Sequence, residues 1–333
     1  MLSAKENLLT CLRGEMPEWV PRYTMGLGEN PSDIMIEPSV ISMHRKGGDG
    51  KDIWGVRYVP TESTGNALIP DNSTFILDDI RHWHDVIKKP DLSGIDWEKM
   101  AKDDLAERKV NREITAVSCN LHIGYFQNLM AFMGFTNGLM AFYEEPEEVH
   151  ALFEYLCDFY CEVSEKYIDH IKPDVWGLVD DTAAWNNPFI SPAMYREFLI
   201  PCYDRQAKFA RDRGLPISMH NCGKAEGFID DLVSIGVCAW DPAQTCNDLL
   251  AVKAKHGRKL VICGGWDARD ELLKEDLTYE EIYASLKASF DKLAPGGGYC
   301  FCGGFLGRLG DDKTLQKNRM VRRAAEELGH LYY

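Results

Sequence analysis

No phosphate-binding fingerprint marks this chain. No Gly-x-Gly-x-x-Gly opens a helix after the first strand pattern, and no Gly-x-x-x-x-Gly-Lys-Ser/Thr occurs, so the two commonest nucleotide cradles are excluded. No stretch reaches the roughly 18 consecutive apolar residues of a membrane span. The opening MLSAKENLLTCLRGE is charged and amphipathic and holds no apolar signal core. No linker rich in Pro, Gly or Ser cuts the chain, and no repeat recurs at a fixed period. Positive charge is also short. Lys and Arg number 37 against 52 Asp and Glu, a formal net charge of −15. Such a surface argues against nucleic acid and anionic membranes as partners. It argues equally against a polyanionic substrate, unless the site is locally basic.

What remains is ordinary globular composition, 45% hydrophobic and 27% charged over 333 residues. That length suits one α/β barrel of about 250 residues with insertions. The expectation is a single domain over 1–333, with helical and hairpin elaboration within 1–110. The cysteine count is 11, an odd number. Without a signal core, free thiols in a reducing cytoplasm are the natural reading. Most act as small buried hydrophobes.

SAKENLLTCLRGE reads as a helix with Ser3 as its N-cap and Leu8, Leu9 and Leu12 on one face. Residues 40–75 carry a charged, glycine-containing loop and then a hairpin, WGVRYVPTESTGNALIP, an insertion over one end of a barrel. From there the pattern alternates. Strands are expected at EITAVSCNLH, DVWGLVDD, PISMHNC, CAWDPA, LVICGGWD and YCFCGG, with helical segments between them. SPAMYREFLIPCYDRQAKFARDRG is a helix opened by Ser191 as N-cap and Pro192 at the first position. Short apolar strands alternating with helices mean βαβ units and a parallel sheet. About eight such units fit a (β/α)8 TIM barrel.

A barrel of this kind carries its chemistry at the C-terminal ends of its strands. Those ends read Asp180–Asp181, His220–Asn221–Cys222, Trp240–Asp241, Gly264–Gly265–Trp266–Asp267 and Cys300–Phe301–Cys302–Gly303–Gly304. In SMHNCGK, His220 and Cys222 are two apart, so an extended backbone turns both to one side and Asn221 away. With a distant cysteine they make three ligands of the type zinc takes. The bland alternative is a structural histidine and thiol at a buried strand end. Cys302, nearer its strand end, is preferred over Cys300 as the third ligand. Asp180, Asp181 and Asp267 are candidate catalytic carboxylates, with helix capping as the alternative. His122, Trp185 and Trp266 are candidates for lining the mouth, with packing as the alternative.

ENLLTCLRGEMPEWVP, FISPAMYREFLIP, ISMHNCGKAEGFIDDLVSIG, VICGGWDARDELL and APGGGYCFCGG together resemble the uroporphyrinogen decarboxylase superfamily over nearly the whole chain. Within it, His220-x-Cys222 looks like the zinc site of the corrinoid-linked methyltransferases, the coenzyme M and O-demethylase branch. The resemblance implies one zinc per chain at the barrel mouth. It also implies methyl transfer between a small donor, such as a methoxylated aromatic, and the cobalt of a separate corrinoid protein. Pairing into a homodimer is compatible with it. In that branch the third ligand comes from a Gly-Cys-Gly turn after the last strand, where this chain reads CFCGGF. The decarboxylase proper uses an Arg-rich N-terminal segment for carboxylates, where VPRYTMGLGEN offers Arg22 alone. Three alternatives stand beside O-demethylation: methyl transfer from a methylcobamide to a thiol, metal-free tetrapyrrole decarboxylation, and non-enzymatic docking of a corrinoid module.

Overall fold

The computed structural model describes residues 2–24, 31–42, 50–61, 68–122, 124–307 and 310–333. Its strands are β1 (Asp33–Ile36), β2 (Tyr58–Pro60), β3 (Leu68–Pro70), β4 (Ala116–Cys119), β5 (Val175–Val179), β6 (Ile217–His220), β7 (Val237–Ala243), β8 (Val261–Gly264) and β9 (Tyr299–Cys300). Seven of them form one sheet in the order β1-β4-β5-β6-β7-β8-β9. Every pairing in that sheet is parallel. An eighth stave comes from residues 21–24. Arg22 bridges Phe301 in parallel, with Tyr23 N–H on Phe301 O and Phe301 N–H on Pro21 O, both at 2.8 Å. On its other side, Thr24 N–H and Oγ1 donate to the Asp33 carboxylate at 2.6 and 2.9 Å. The curled sheet is thus a TIM-barrel-like α/β fold.

The strands have the composition that a barrel demands. β4, β5 and β8 are buried at every position, because helices cover one face and the barrel interior the other. The longest covering helix, Pro146–Ile171, turns Val149, Leu152, Phe153, Leu156, Tyr160, Val163 and Tyr167 inward at three- and four-residue intervals. The helix Ala4–Leu12 plugs the end of the barrel opposite the mouth. Leu8, Cys11 and Leu12 meet Ala116, Val175 and Val261, the first residues of their strands, in one buried cluster. Ser3 caps that helix, accepting from Glu6 N–H at 3.1 Å, as the sequence predicts.

One expectation changes in detail and another is met. The helix after Ser191 is interrupted: Pro192–Met194, a π-helical turn at Tyr195–Leu199, then Ile200–Arg211. Pro201 lacks an N–H and crowds the preceding turn, which widens to accommodate it. The hairpin expected within 40–75 is β2 paired antiparallel with β3. Residues 43–49 and 62–67 of that insertion lie outside the described residues.

Candidate metal centre

Strand register brings the candidate ligands together. Val179 pairs with His220, and His220 with Asp241, at one level across β5, β6 and β7. Residues just past that level emerge side by side at the mouth. Asp180 N–H donates to His220 O at 3.0 Å and Asn221 N–H to Asp241 O at 2.9 Å, carrying the ladder one step further. Asp181 and Cys222 follow. One ligand atom each from Asp181, His220 and Cys222 lies within 4.8 Å of the others, the one such group among the described residues.

The spacing fits an ion. His220 Nε2 is 3.6 Å from Cys222 Sγ and 3.9 Å from Asp181 Oδ1. Nitrogen at about 2.05 Å and sulfur at about 2.3 Å from a tetrahedral zinc stand roughly 3.6 Å apart. His220 Nδ1 is 2.8 Å from Asp241 Oδ2. Nδ1–H donated to that carboxylate leaves Nε2 with its lone pair toward Cys222, the carboxylate–histidine arrangement found behind metal ligands. Burial works against a charged His220, yet Asp241 and then Cys222 hold its pKa well above the usual value. Burial pushes the Cys222 thiol up, against a downward pull from His220. Metal binding displaces both protons.

The turn carrying Cys222 is rigidly held. Asn221 is fully buried. Its amide donates to Thr182 Oγ1 at 2.8 Å and accepts from Thr182 N–H at 3.1 Å, tying the β6 turn to the β5 turn. Cys222 N–H donates to Asp181 Oδ1 at 2.9 Å. Gly223 has φ +82°, and a Cβ there would sit 2.4 Å from Ala183 O, so this position requires glycine.

The remaining candidates fall in different places. Asp180 is fully buried. It accepts from Phe126 N–H at 2.9 Å, Gln127 N–H at 3.0 Å and Tyr203 O–H at 2.7 Å, capping the helix Tyr125–Met133. Burial raises its pKa to about 7 against the pull of those three donors. Gly124 leaves room for this cap, since a Cβ there would lie 2.0 Å from Asp180 Cγ. Asp267 braces a turn, accepting from Thr245 N–H at 2.9 Å. Trp266 is core, 5% exposed, packed on Phe301 and Phe305 with its N–H on Ser285. Trp185 is half-buried under the Arg269 guanidinium, 3.0 Å from its ring centroid. Asp180, Asp267 and Trp266, expected as catalytic or substrate-binding residues, thus stand outside the Asp181–His220–Cys222 group and make structural contacts.

Cys302 and Cys300 do not join the group. β9 lies three strand positions from β6. Cys300 is fully buried in the plug cluster. Cys302 lines a cavity of about 220 Å³ together with Arg22. His122 lines a second, larger cavity of about 600 Å³ whose wall includes Asp181. Asp241 is the neighbour of His220 to which sequence reasoning assigned no part. It stands at the end of CAWDPA, but only strand register reveals that it faces His220.

Residues 121–305 match the uroporphyrinogen decarboxylase (URO-D) family. The chain belongs to this family. The matched span holds Asp181, His220, Cys222 and Asp241. No curated protein matches the sequence. Among solved structures, a methyltransferase from Methanosarcina mazei superposes with a TM-score of 0.65 at 14% identity, covering 98% of this chain and 99% of that one. At that identity the likeness establishes the fold. A D-psicose 3-epimerase from Clostridium cellulolyticum H10 matches at a TM-score of 0.38 and 13% identity over 69% of this chain and 83% of its own, too remote to carry an argument. No helix among the described residues is long and apolar enough to cross a membrane.

Proposed function

We propose that this member of the uroporphyrinogen decarboxylase family moves a methyl group between a small donor, a methoxylated aromatic, and the cobalt of a separate corrinoid protein. The observation that carries the reading is the grouping of Asp181, His220 and Cys222 at the barrel mouth with His220 backed by Asp241. These residues would hold zinc, with Asp181 taking the place expected of Cys302. When bound, zinc supplies a Lewis acid that stabilises negative charge on a departing oxygen or on a thiolate.

The chain's own residues supply the rest. Asp241 holds His220 Nδ1–H and fixes the ring. Asp181 receives Cys222 N–H and Gln127 Nε2–H, the latter at 3.2 Å. The cavity of about 600 Å³ beside Asp181 is lined by Phe75, Phe126, Phe135, Phe189 and Tyr58, a size ordinary for small-molecule sites. Phe126 and Phe189 stack with rings 7° from parallel and centroids 5.7 Å apart, so the aromatic side of the cavity is packed in place. β2 and β3 form part of its wall through Tyr58, Leu68, Ile69 and Pro70. No Lys or Arg lines this cavity among the described residues, which disfavours the polycarboxylate of a tetrapyrrole decarboxylase. In the transfer the methyl carbon leaves its oxygen, which keeps the electron pair of the broken bond, while cobalt(I) of the partner supplies the pair for the new bond.

The test is a screen of methoxylated aromatics with purified protein and a corrinoid protein reduced to cobalt(I). The expected result is release of the demethylated phenol only when both proteins are present. Phenol release at the same rate without the corrinoid protein would overturn the reading.

A further inference from the structure

The smaller cavity, the one that Cys302 and Arg22 line, lies between the barrel rim and the C-terminal helix Asp312–Gly329, away from the aromatic pocket. Its wall holds Tyr23, Phe301, Cys302 and Phe305, and two guanidiniums, Arg22 and Arg322, reach it from the eighth stave and from that helix. The surroundings are unusual for a chain of net charge −15. Arg22 has one ion-pair partner among the described residues, the exposed Glu326 at the long distance of 3.6 Å. Arg322 is half-buried and takes no hydrogen bond or ion pair among the described residues. Burial, then the neighbouring charges of Arg319 and Arg22, lower its pKa. Like charges turned toward one apolar cavity repel at a cost that an anion between them removes.

The wall is built rather than incidental. Asn318 pins the 303–306 turn to the helix, accepting from Phe305 N–H at 2.7 Å and donating to Phe305 O at 3.0 Å. A Cβ at Gly304 would lie 2.9 Å from Asn318 Oδ1, so glycine lets the turn close on the helix. The cavity, about 220 Å³, suits a single ring or a short branched chain. The Cys302 thiol on its wall is pushed up in pKa by burial and then by Asp241.

We propose that this cavity binds a small organic oxyanion with a compact apolar body, the anion held by Arg22 and Arg322 and the body by Tyr23, Phe301 and Phe305. Paired guanidiniums suit a planar carboxylate, which accepts two parallel N–H bonds from one fork and a further N–H bond from the other. This goes beyond the methyl-transfer reading, and its test uses metal-free protein and no methyl donor, so the two stand or fall separately. The probes are benzoate, benzamide (the same shape without charge) and inorganic phosphate (the charge without the body), titrated calorimetrically into wild type, Arg322→Gln and Cys222→Ala. Benzoate should bind, with benzamide and phosphate each weaker by about tenfold or more. Arg322→Gln should weaken benzoate by about tenfold or more, as loss of a charge-assisted bidentate contact does, and Cys222→Ala should leave it unchanged. Equal benzoate binding by wild type and Arg322→Gln would overturn the proposal. So would phosphate binding as tightly as benzoate, which would mark a bare charged patch. An Arg322→Gln effect on corrinoid-protein binding but not on benzoate would also overturn it, in favour of protein docking.

Discussion

At the scale of single residues, the account rests on His220 having one nitrogen committed and one free. Asp241→Asn keeps the shape of the contact with Nδ1 and removes its charge. Zinc affinity should fall by about 10- to 100-fold, the usual effect of altering a partner behind a metal ligand, measured by competition with a chromogenic chelator. Protons compete for the same atoms. His220 and Cys222 both hold theirs more firmly than the isolated side chains do, so apparent zinc affinity should rise steeply with pH between about 6 and 8. Without metal the sign reverses. The raised pKa of His220 means that its pairing with Asp241 stabilises the fold below about pH 6.5 and that this contribution fades as pH climbs through the raised value. Melting curves of metal-free protein across that range, with Asp241→Asn as control, check the direction. The sequence alone made His220 and Cys222 legible, because alternation along a strand puts residues two apart on one side. It did not place Asp181 as their neighbour over Cys302, because that depends on which strand lies next to which.

At the scale of elements, the turns after β5 and β6 behave as one unit, joined by Asn221 and Thr182 and closed by Gly223. Gly223→Ala forces a Cβ against Ala183 O at a backbone conformation that side chains rarely adopt. The expected outcome is loss of zinc binding with helical content unchanged, read by metal analysis beside circular dichroism. Asp180 belongs to the same region but does different work. Asp180→Ala strands two helix-end N–H groups and the Tyr203 hydroxyl in a buried place, so unfolding free energy should drop by about 3 kcal/mol, measured by urea denaturation. Six of the eight staves were legible as apolar runs between helical patterns. The two missed, residues 21–24 and β1, flank residues 25–30 and contain Arg22, Thr24 and Asp33, polar groups that break the apolar pattern. Thr24 and Asp33 satisfy each other by side-chain contacts that no periodicity displays. The hairpin was legible from its alternating residues, and the π-helical turn was not, since one proline inside a strong helical pattern does not reveal how the backbone adjusts.

At the scale of the whole molecule, the barrel separates stability from chemistry. The plug helix Ala4–Leu12 and the interior cluster close one end, and the candidate ligands stand at the other. Cys222→Ala should therefore shift the melting temperature by no more than a few degrees, unlike removal of a ligand from a fold held together by its metal. The fold class was readable because the alternation of strand and helix repeats along the chain, whereas the closing of the sheet by an N-terminal stave is a long-range pairing that leaves no local mark. The most direct measurement is the absorbance change from cobalt(I) to methylcobalt in the corrinoid partner, followed in a single turnover with a methoxylated aromatic. Wild-type protein should produce it, zinc-stripped protein should not, and zinc added back should restore it. Methylcobalt forming at the wild-type rate in zinc-stripped protein would contradict the assignment of Asp181, His220 and Cys222 as a working metal centre.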